Sequence, residues 1–206
     1  MMNVSDKRHW YDGWIYDRLL APNQQVAFQK ISNLIAEGSS VIDIGCGTGR
    51  LDFKLAAKCR SVLALDLSEK NIKTALRTRG LLEVNNVQFI HSDLASVVKQ
   101  DGSFFDYSVL SYILHEVNAS ERIKLLADAA SISDKIIISD HKPDTKTVAR
   151  IIREVLEIGA GMDHYSNYRS FINEGGIKQL AAANRLKIIH EEVHSSHLHI
   201  VILQKS

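Results

Sequence analysis

The sequence predicts an α/β fold with a mostly parallel sheet of seven strands, helices on both faces and a C-terminal antiparallel hairpin. Short apolar, β-branched runs alternate with stretches of helical periodicity, which indicates a parallel sheet covered on both faces. Only HSSH separates the last two strand-like runs, so they are too close for a crossover and are predicted to be antiparallel. The strand-like runs are SVIDI, SVLAL, VQFI, FDYSVL, KIIIS, LKIIHEEV and LHIVILQ.

The predicted helices begin and end at residues that suit helix termini. Asn23 is expected to cap the first helix, and Gly38 follows its end. Ser68 is expected to cap a later helix, which Gly80 closes. A further helix is predicted over residues 145–158 because its apolar residues recur at helical spacing. The apolar face of the first helix comprises Ala27, Phe28, Ile31, Leu34 and Ile35.

Length and composition indicate one globular domain. The chain has 206 residues, 45% hydrophobic and 24% charged, which suits a single domain over 1–206 with residues 1–22 as a helical leader or lid. Lys and Arg number 25 and Asp and Glu 24, so no basic excess points to a nucleic-acid partner. No apolar run reaches the ~20 residues of a membrane span, and the N-terminus lacks the apolar core of a signal peptide. Cys46 and Cys59 are expected to be reduced, which predicts a cytoplasmic protein.

A glycine loop follows the first predicted strand. Residues 41–49 read Val-Ile-Asp-Ile-Gly-Cys-Gly-Thr-Gly, with strand, loop and helix in the order of a nucleotide-binding site. Gly45 and Gly47 allow a tight turn and close approach of a ligand to the main chain, and Gly49 leaves space where the helix begins. The G-x-G-x-G spacing differs from the G-x-G-x-x-G of dinucleotide binding. Asp43 disfavours a nearby pyrophosphate but suits a ligand that carries an ammonium group.

Carboxylates also follow the second and third predicted strands. Asp66 can accept hydrogen bonds from both hydroxyls of a ribose, and Asp93 can accept one from an adenine amino group. Their neighbours Leu67 and Leu94 can sandwich the purine between them. All three acidic residues, including Asp43, are expected at the carboxyl edge of the sheet, where open α/β sheets bind ligands.

These runs resemble the motifs of class I S-adenosylmethionine-dependent methyltransferases. VIDIGCGTG resembles the first motif, ALDLS the second and HSDL the third, and SVLSYILHEV is similar to the fourth-strand segment of the small-molecule branch. The segment WYDGWIYDRL resembles the leader of quinone and lipid methyltransferases, but the Gly-Leu-Arg-Asn signature of the quinone branch is absent. The resemblance implies a Rossmann-like fold, S-adenosylmethionine as cofactor, and in-line methyl transfer to a small-molecule or lipid-like acceptor.

The resemblance extends from about residue 26 to the end of the chain and implies the cofactor-binding residues. It assigns Asp43 and the loop glycines to the methionine moiety, Asp66 to the ribose and Asp93 to the adenine. Ser111 is expected beneath the methyl donor. The residues expected to bind the cofactor are Asp43, Gly45, Cys46, Gly47, Gly49, Asp66, Leu67, Asp93, Leu94 and Ser111.

Candidate residues for acceptor chemistry follow the fourth and fifth strands. His115 and His141 can take a proton from a hydroxyl, thiol or amine, and Tyr165 lies in the polar aromatic segment GMDHYSNYRSF. We favour His115 because its loop is expected beside the donor methyl; the alternative for each histidine is a cap, turn or solvated residue. Positioning alone can supply about 7–11 kcal/mol, so a dedicated base is optional. Segment 161–171 is expected to roof the acceptor pocket, with the aromatic residues of the leader as a lid or a docked helix.

The histidine-rich end of the chain raises the question of a metal. His194, His197 and His199 form H-x-x-H-x-H, and a bound metal needs three converging nitrogens. In an extended strand His197 and His199 share a face, while His194 belongs to the turn. We therefore interpret the segment as an edge hairpin with solvated histidines and predict no metal site.

Three other functions fit parts of the pattern. A catalytically silent S-adenosylmethionine-binding regulatory subunit predicts a decayed glycine loop, whereas this loop is intact. A methyltransferase that acts on a macromolecule is the second alternative; no Asn-Pro-Pro-aromatic motif follows the fourth strand. A nicotinamide oxidoreductase predicts G-x-G-x-x-G.

Overall fold

The computed structural model describes residues 14–100, 102–142, 162–194 and 198–205. The predicted helix over 145–158, residues 1–13 of the leader and His197 lie outside the described residues. The elements are α1 (Trp14–Leu34), β1 (Ser40–Ile44), α2 (Arg50–Ala56), β2 (Ser61–Asp66), α3 (Glu69–Leu81), β3 (Val87–His91), α4 (Leu94–Gln100), β4 (Phe105–Ser111), α5 (Ala119–Ile132), β5 (Ser133–His141), α6 (Met162–Asn173), α7 (Gly176–Ala183), β6 (Leu186–His194) and β7 (Leu198–Lys205). None of the described helices combines the length and apolar character that crossing a membrane requires.

The strands form one seven-stranded sheet in the order β3-β2-β1-β4-β5-β7-β6. Strands β1 to β5 pair in parallel, whereas β7 is antiparallel to both β5 and β6. The predicted α/β fold with a C-terminal antiparallel hairpin is therefore confirmed. Because β7 inserts between β5 and β6, β6 and not β7 lies at the edge of the sheet.

Two apolar layers cover the sheet, one on each face. Helices α1, α2 and α3 bury side chains such as Ile31, Leu55 and Ile72 against one face. Helices α4 to α7 cover the other face, with Leu126 and Phe171 in the core. This placement follows from strand alternation, since successive residues of a buried strand point to opposite faces. Both faces are occupied, so a ligand has access at the ends of the strands.

One predicted helix start is wrong. Asn23 lies inside α1, which runs unbroken from Trp14 to Leu34. The preference of Asn for a cap contributes only about 1 kcal/mol, and good helix formers such as Leu20 and Gln24 on either side favour continuation. The cap predicted at Ser68 is present, because its Oγ accepts a hydrogen bond from the Asn71 amide at 3.3 Å.

Candidate active site

The candidate site lies at the carboxyl ends of the parallel strands. β1 pairs with β2 on one side and with β4 on the other. The chain adds β2 and β3 on one side of β1, then returns to the middle of the sheet and adds β4 and β5 on the other side. The loops that leave β1 and β4 therefore diverge, and this topological switch point is where open α/β sheets bind ligands. The glycine loop follows β1, and the His115 loop follows β4.

The glycine loop shows an open side and a packed side. Gly45, Gly47 and Gly49 all have φ between 57° and 83°, in the left-handed region that favours glycine. A Cβ added to Gly47 would meet nothing within 4 Å, whereas one added to Gly49 would come within 2.8 Å of Phe89. The main chain at Gly47 is thus open to a ligand, and Gly49 is needed for packing of the loop against β3.

Asp66, at the end of β2, holds the glycine loop in place. Its Oδ2 accepts a hydrogen bond from the Gly47 amide at 2.8 Å, and its Oδ1 accepts from the Ser68 amide at 2.7 Å. The side-chain amide of Asn71 lies 3.4 Å from Oδ1. Oδ2 accepts only one of these bonds and has capacity for a further donor, so the predicted contact with a ribose hydroxyl is compatible with them.

Asp43 lies below the loop together with Asp52, an acidic residue of α2 that the sequence did not single out. Asp43 is 2% exposed and Asp52 is fully buried. Burial raises the pKa of Asp43 to about 7, and the charge of Asp66 adds to this effect, while the nearby Asp52 carboxyl opposes it through a hydrogen bond. Burial, followed by the charge of Asp43, likewise holds the pKa of Asp52 well above its ordinary value.

The thiol of Cys46 in the same loop is partly buried. Its Sγ lies 3.6 Å from the carbonyl oxygen of Gly47. Burial and the charges of Asp52, Asp43 and Asp66, in that order, raise the pKa of Cys46 far above its ordinary value. A thiol in this state is a poor nucleophile, so Cys46 contributes its backbone to the loop and no covalent chemistry.

The residues after β3 only partly match the predicted adenine site. Asp93 Oδ1 accepts a hydrogen bond from the Ser96 amide at 2.7 Å, as a helix-capping side chain does. Hydrogen bonding with the Ser96 side chain, followed by that from its amide, lowers the pKa of Asp93. Leu67 is 55% exposed and presents an apolar surface, but Leu94 is 3% exposed and packs in the core. The purine contact stays a prediction for Asp93 and Leu67, and the burial of Leu94 argues against a contact from its side chain.

The end of β4 presents a buried hydroxyl and an unusual backbone. The Oγ of Ser111 is buried and has no hydrogen-bond partner among the described residues. The next residue, Tyr112, has a φ of 58°, and its amide donates to the carbonyl of Ser139 at 2.8 Å. A non-glycine residue in this region costs about 1–3 kcal/mol and often occurs at ligand sites. These features are what a contact of Ser111 with the cofactor requires.

His115 and Asp140 form a buried pair. His115 Nδ1 lies 2.7 Å from Asp140 Oδ1, and the residues are 5% and 0% exposed. The amides of His141 and Leu114 donate to the two carboxylate oxygens at 2.7 Å and 3.0 Å. Burial alone would raise the pKa of Asp140, but the interactions with His115 and His141 lower it below the ordinary value. An ionised Asp140 thus holds the imidazole of His115 in one orientation.

Aromatic rings surround the His115 imidazole. Its centroid lies 4.7 Å from that of His141 and 6.2 Å from that of Tyr168, and the His141 and Tyr168 centroids are 5.6 Å apart. The Tyr112 ring lies 5.6 Å from His141. Tyr165 precedes Tyr168 by three residues on α6, so it lies on the same side of that helix one turn earlier. The structure therefore brings His115 and His141 together and places Tyr168 of α6 beside them.

Arg122, a buried arginine that the sequence did not single out, connects the His115 loop to α6. Arg122 is 1% exposed, and its Nε donates to the carbonyl of Leu114 at 2.7 Å. Its other nitrogens donate to Asn167 O, Ser170 Oγ and Glu174 Oε2 on or just after α6. The Asn167 side chain donates in turn to the carbonyl of Glu116 at 2.7 Å. The helix expected to roof the acceptor pocket is thus fixed to the loop that carries His115.

One group among the described residues has the composition of a metal site. Ligand atoms of His115, Asp140 and His141 lie within 4.8 Å of one another. However, both oxygens of Asp140 already accept hydrogen bonds, two of them from backbone amides. This arrangement favours a hydrogen-bonded pair of His115 and Asp140 over metal ligation.

The histidines of the hairpin differ from the prediction in one respect. His199 is 2% exposed and its Nε2 lies 2.8 Å from Glu191 Oε1, so it is not solvated. Its burial follows from the central position of β7, which packs between β5 and β6. His194, at the end of β6, is exposed as expected.

Comparison with known proteins finds similarity to methyltransferases. Residues 41–135 match the family model that is described as a methyltransferase domain. An uncharacterized RNA methyltransferase of Mycoplasma mobile is 31% identical over 87 residues, which are 41% of this chain and 24% of the relative. The chain spans only 16–24% of the length of three curated relatives that it matches.

Solved structures share the fold over most of the chain. An O-methyltransferase family protein from Burkholderia thailandensis has a TM-score of 0.70 and 17% identity, covering 93% of this chain and 58% of that one. Magnesium protoporphyrin IX methyltransferase from Synechocystis, crystallised with S-adenosylhomocysteine, has a TM-score of 0.64 and 20% identity, covering 94% and 88%. At these identities the likeness shows the fold alone, which this chain shares with both of these methyltransferase structures.

Proposed function

We propose that this chain, whose residues 41–135 belong to the methyltransferase-domain family, is an S-adenosylmethionine-dependent methyltransferase that acts on a small-molecule or lipid-like acceptor. One observation carries the proposal: the Gly47 main chain faces open space while Asp66 holds its amide at 2.8 Å, at the topological switch point of the sheet. This is a preorganised surface for a nucleoside ligand. The location that goes with this function is the cytoplasm, where Cys46 and Cys59 stay as the free thiols seen here.

The residues at this edge fit the parts of the cofactor. Asp66 is available to ribose hydroxyls, and Asp43 suits the methionine ammonium. The buried Ser111 Oγ is a polar atom that needs a partner, which a ligand between β1 and β4 can supply. When bound, S-adenosylmethionine supplies an electrophilic methyl group on a sulfonium.

The His115–Asp140 pair supports a proton acceptor beside the cofactor. Asp140 orients the imidazole through Nδ1, and the opposite ring nitrogen, Nε2, is the atom proposed to take a proton from a hydroxyl, thiol or amine of the acceptor. The rings of Tyr112, His141 and Tyr168 form the surroundings of this imidazole. Such surroundings favour an acceptor with an apolar or flat body, and they support a small-molecule substrate. Tyr165 and Arg169 on α6 are proposed to position it.

Calorimetry with purified protein tests the cofactor assignment. We expect micromolar binding of S-adenosylmethionine and S-adenosylhomocysteine, roughly −7 to −9 kcal/mol, and no binding of NAD. A well-folded protein that gives neither heat nor a thermal shift with either ligand contradicts the proposal. A catalytically silent subunit would bind both ligands but transfer no labelled methyl group in a screen of small-molecule acceptors.

One alternative to a small-molecule acceptor has specific support. A matched relative is named as an RNA methyltransferase, so a macromolecular acceptor is the second candidate. The near-equal numbers of basic and acidic residues, 25 and 24, support the small-molecule assignment because RNA binding usually requires a basic surface. Methyl transfer to total RNA, with no transfer to any small-molecule acceptor, would favour the macromolecular acceptor.

A further inference from the structure

The side chain of Ile113, in the His115 loop, contacts the glycine loop. A Cβ built on Gly45 would lie 2.5 Å from Ile113 Cδ1 and 3.0 Å from its Cγ1. The last paired residues of β1 and β4, Ile44 and Leu110, come just before the two loops diverge. Ile113 therefore spans the crevice between the loops near its base, and the tip of its side chain occupies the space that a larger residue at position 45 would need.

The neighbouring side chains of the His115 loop point elsewhere. Tyr112 packs against the core layer under α1 to α3, whereas Leu114 is fully buried in the layer under α4 to α7. His115 is paired with the buried Asp140 at 2.7 Å. Ile113 packs against the same layer as Leu114 but is only partly buried, so some of its apolar surface stays accessible beside the glycine loop.

The backbone on both sides of this contact is fixed by hydrogen bonds. The amide that follows Ile113, that of Leu114, donates to Asp140 Oδ2 at 3.0 Å. On the facing side, the Gly45 amide donates to the carbonyl of Leu65 at 2.7 Å. A β-branched side chain also has few rotamers, so Ile113 presents a fixed apolar surface to a group bound in the crevice.

We propose that Ile113 limits the size of the group that the sulfonium of the cofactor can carry. In the proposed function, the methionine moiety binds at the loop glycines and His115 acts beside the group that is transferred. Ile113 contacts Gly45 and precedes His115 by two residues, so it lies between these two places. The inference rests on the proposed function, because it requires a bound sulfonium ligand.

Calorimetry with three ligands tests the proposal. S-adenosylmethionine carries a methyl group, S-adenosylethionine carries an ethyl group, and S-adenosylhomocysteine, whose sulfur is neutral, carries neither. The wild type should bind the ethyl ligand at least about tenfold more weakly than the methyl ligand, because an extra methylene in a packed site forces its neighbours apart. Equal affinities of the wild type for the two sulfonium ligands overturn the proposal.

Ile113→Val is the variant that matches the added carbon. It removes only Cδ1, the atom nearest to Gly45, and keeps the branch at Cβ. The carbon removed compensates for the carbon added, so the variant should bind the two sulfonium ligands within about threefold of each other. Its affinity for S-adenosylhomocysteine should change by less than about twofold, whereas a role confined to core packing would weaken all three ligands by the same factor.

Ile188→Val is the matched control. Ile188 is also partly buried and packs against the same core layer, but it lies on β6, which β5 and β7 separate from β4. This variant should keep the preference of the wild type between the methyl and ethyl ligands. A shift as large as that of Ile113→Val would overturn the proposal.

The outcomes separate this inference from the proposed function. Absence of binding of S-adenosylmethionine and S-adenosylhomocysteine to the folded wild type overturns both. Binding of both, with the same preference between the sulfonium ligands in wild type and Ile113→Val, leaves the function in place and overturns the role of Ile113. If the variant does not fold, NMR of the wild type decides: the sulfonium methyl should show a nuclear Overhauser effect to the δ1 methyl of Ile113, and its absence overturns the proposal.

Discussion

At the scale of single residues, Asp66 combines two tasks. It holds the Gly47 amide at 2.8 Å, and it is the residue proposed to bind the ribose. Asp66→Ala should weaken S-adenosylhomocysteine binding by about 1–3 kcal/mol, because both the Gly47 amide and the ribose lose a charged hydrogen-bond acceptor. Calorimetry measures the change, and Asp134→Ala, an exposed acid at the start of β5, is the control. An unchanged affinity for Asp66→Ala would remove this residue from the cofactor site.

His115 is the residue on which acceptor chemistry depends most directly. His115→Ala should lower kcat about 10²-fold or more when proton removal is rate-limiting, with little change in cofactor Kd. The reason is that Asp140 orients this imidazole, whose Nδ1 lies 2.7 Å from Asp140 Oδ1. Steady-state kinetics and calorimetry measure the two quantities, with His194→Ala on the exposed end of β6 as control. If kcat is unaltered at saturating acceptor, His115 has no part in the mechanism, and His141 should be tested next.

The group of His115, Asp140 and His141 should work without a metal. Both oxygens of Asp140 are occupied by hydrogen bonds, and in the hairpin His199 is paired with Glu191. Prolonged dialysis against a chelator should therefore leave methyl transfer and cofactor affinity intact. Loss of activity that zinc or another divalent ion restores would show that these side chains bind a metal instead.

At the scale of secondary structure, periodicity and caps predicted most elements. The buried strands, such as SVIDI over β1, are continuous β-branched runs, and Ser68 caps α3 as expected. The cap predicted at Asn23 was wrong because the preference of Asn for a cap is weak compared with the helix propensity of its neighbours. Asp52 and Arg122 could not be predicted, since their importance comes from burial against groups distant along the chain: Arg122 bonds to a residue 45 positions away. A single sequence gives no signal for such contacts.

The contact between the His115 loop and α6 depends on Arg122. Arg122→Met keeps most of the apolar stem but leaves the buried carbonyls of Leu114 and Asn167 without this donor. The free energy of unfolding should fall by about 2–4 kcal/mol, and the KM for the acceptor should rise while cofactor Kd stays nearly constant. Denaturant unfolding and kinetics measure these effects. Arg77→Met, on the exposed side of α3, should change neither, and equal effects of both variants would contradict a specific role for Arg122.

At the scale of the whole molecule, the sheet divides into two halves at β1 and β4. β1 to β3 carry the glycine loop, Asp66 and Asp93, while β4 and β5 carry the His115–Asp140 pair. The matched methyltransferase segment, 41–135, covers the first half together with β4 and the His115 loop, and it ends near the start of β5, before Asp140. The glycine loop and its acids could therefore be read from the sequence, whereas the acceptor side depends on contacts that only the fold creates.

The pH dependence of the free energy of unfolding should show whether the buried pair of Asp43 and Asp52 retains a proton. The pKa of Asp43 is raised to about 7 from an ordinary 3.8, so between these values the folded state keeps a proton that the unfolded state has lost. The stability that the pair contributes is thus greatest at low pH and falls as the pH rises towards 7. Asp52→Asn removes the second raised carboxyl of the pair. Relative to this variant, the wild type should therefore lose on the order of 2 kcal/mol of unfolding free energy between pH 5 and pH 7.

Comparing the two proteins removes the contributions of other groups. The pKa of Asp140 is lowered, so the stability it provides is lost only as the pH falls below the ordinary carboxyl range, outside this window. The other ionisable groups are the same in both proteins and cancel in the difference. Denaturant unfolding of the ligand-free proteins at pH 5, 6 and 7 measures it. Parallel pH curves for wild type and Asp52→Asn would mean that Asp52 keeps no proton in the folded state, because only a proton retained there can make the two curves diverge.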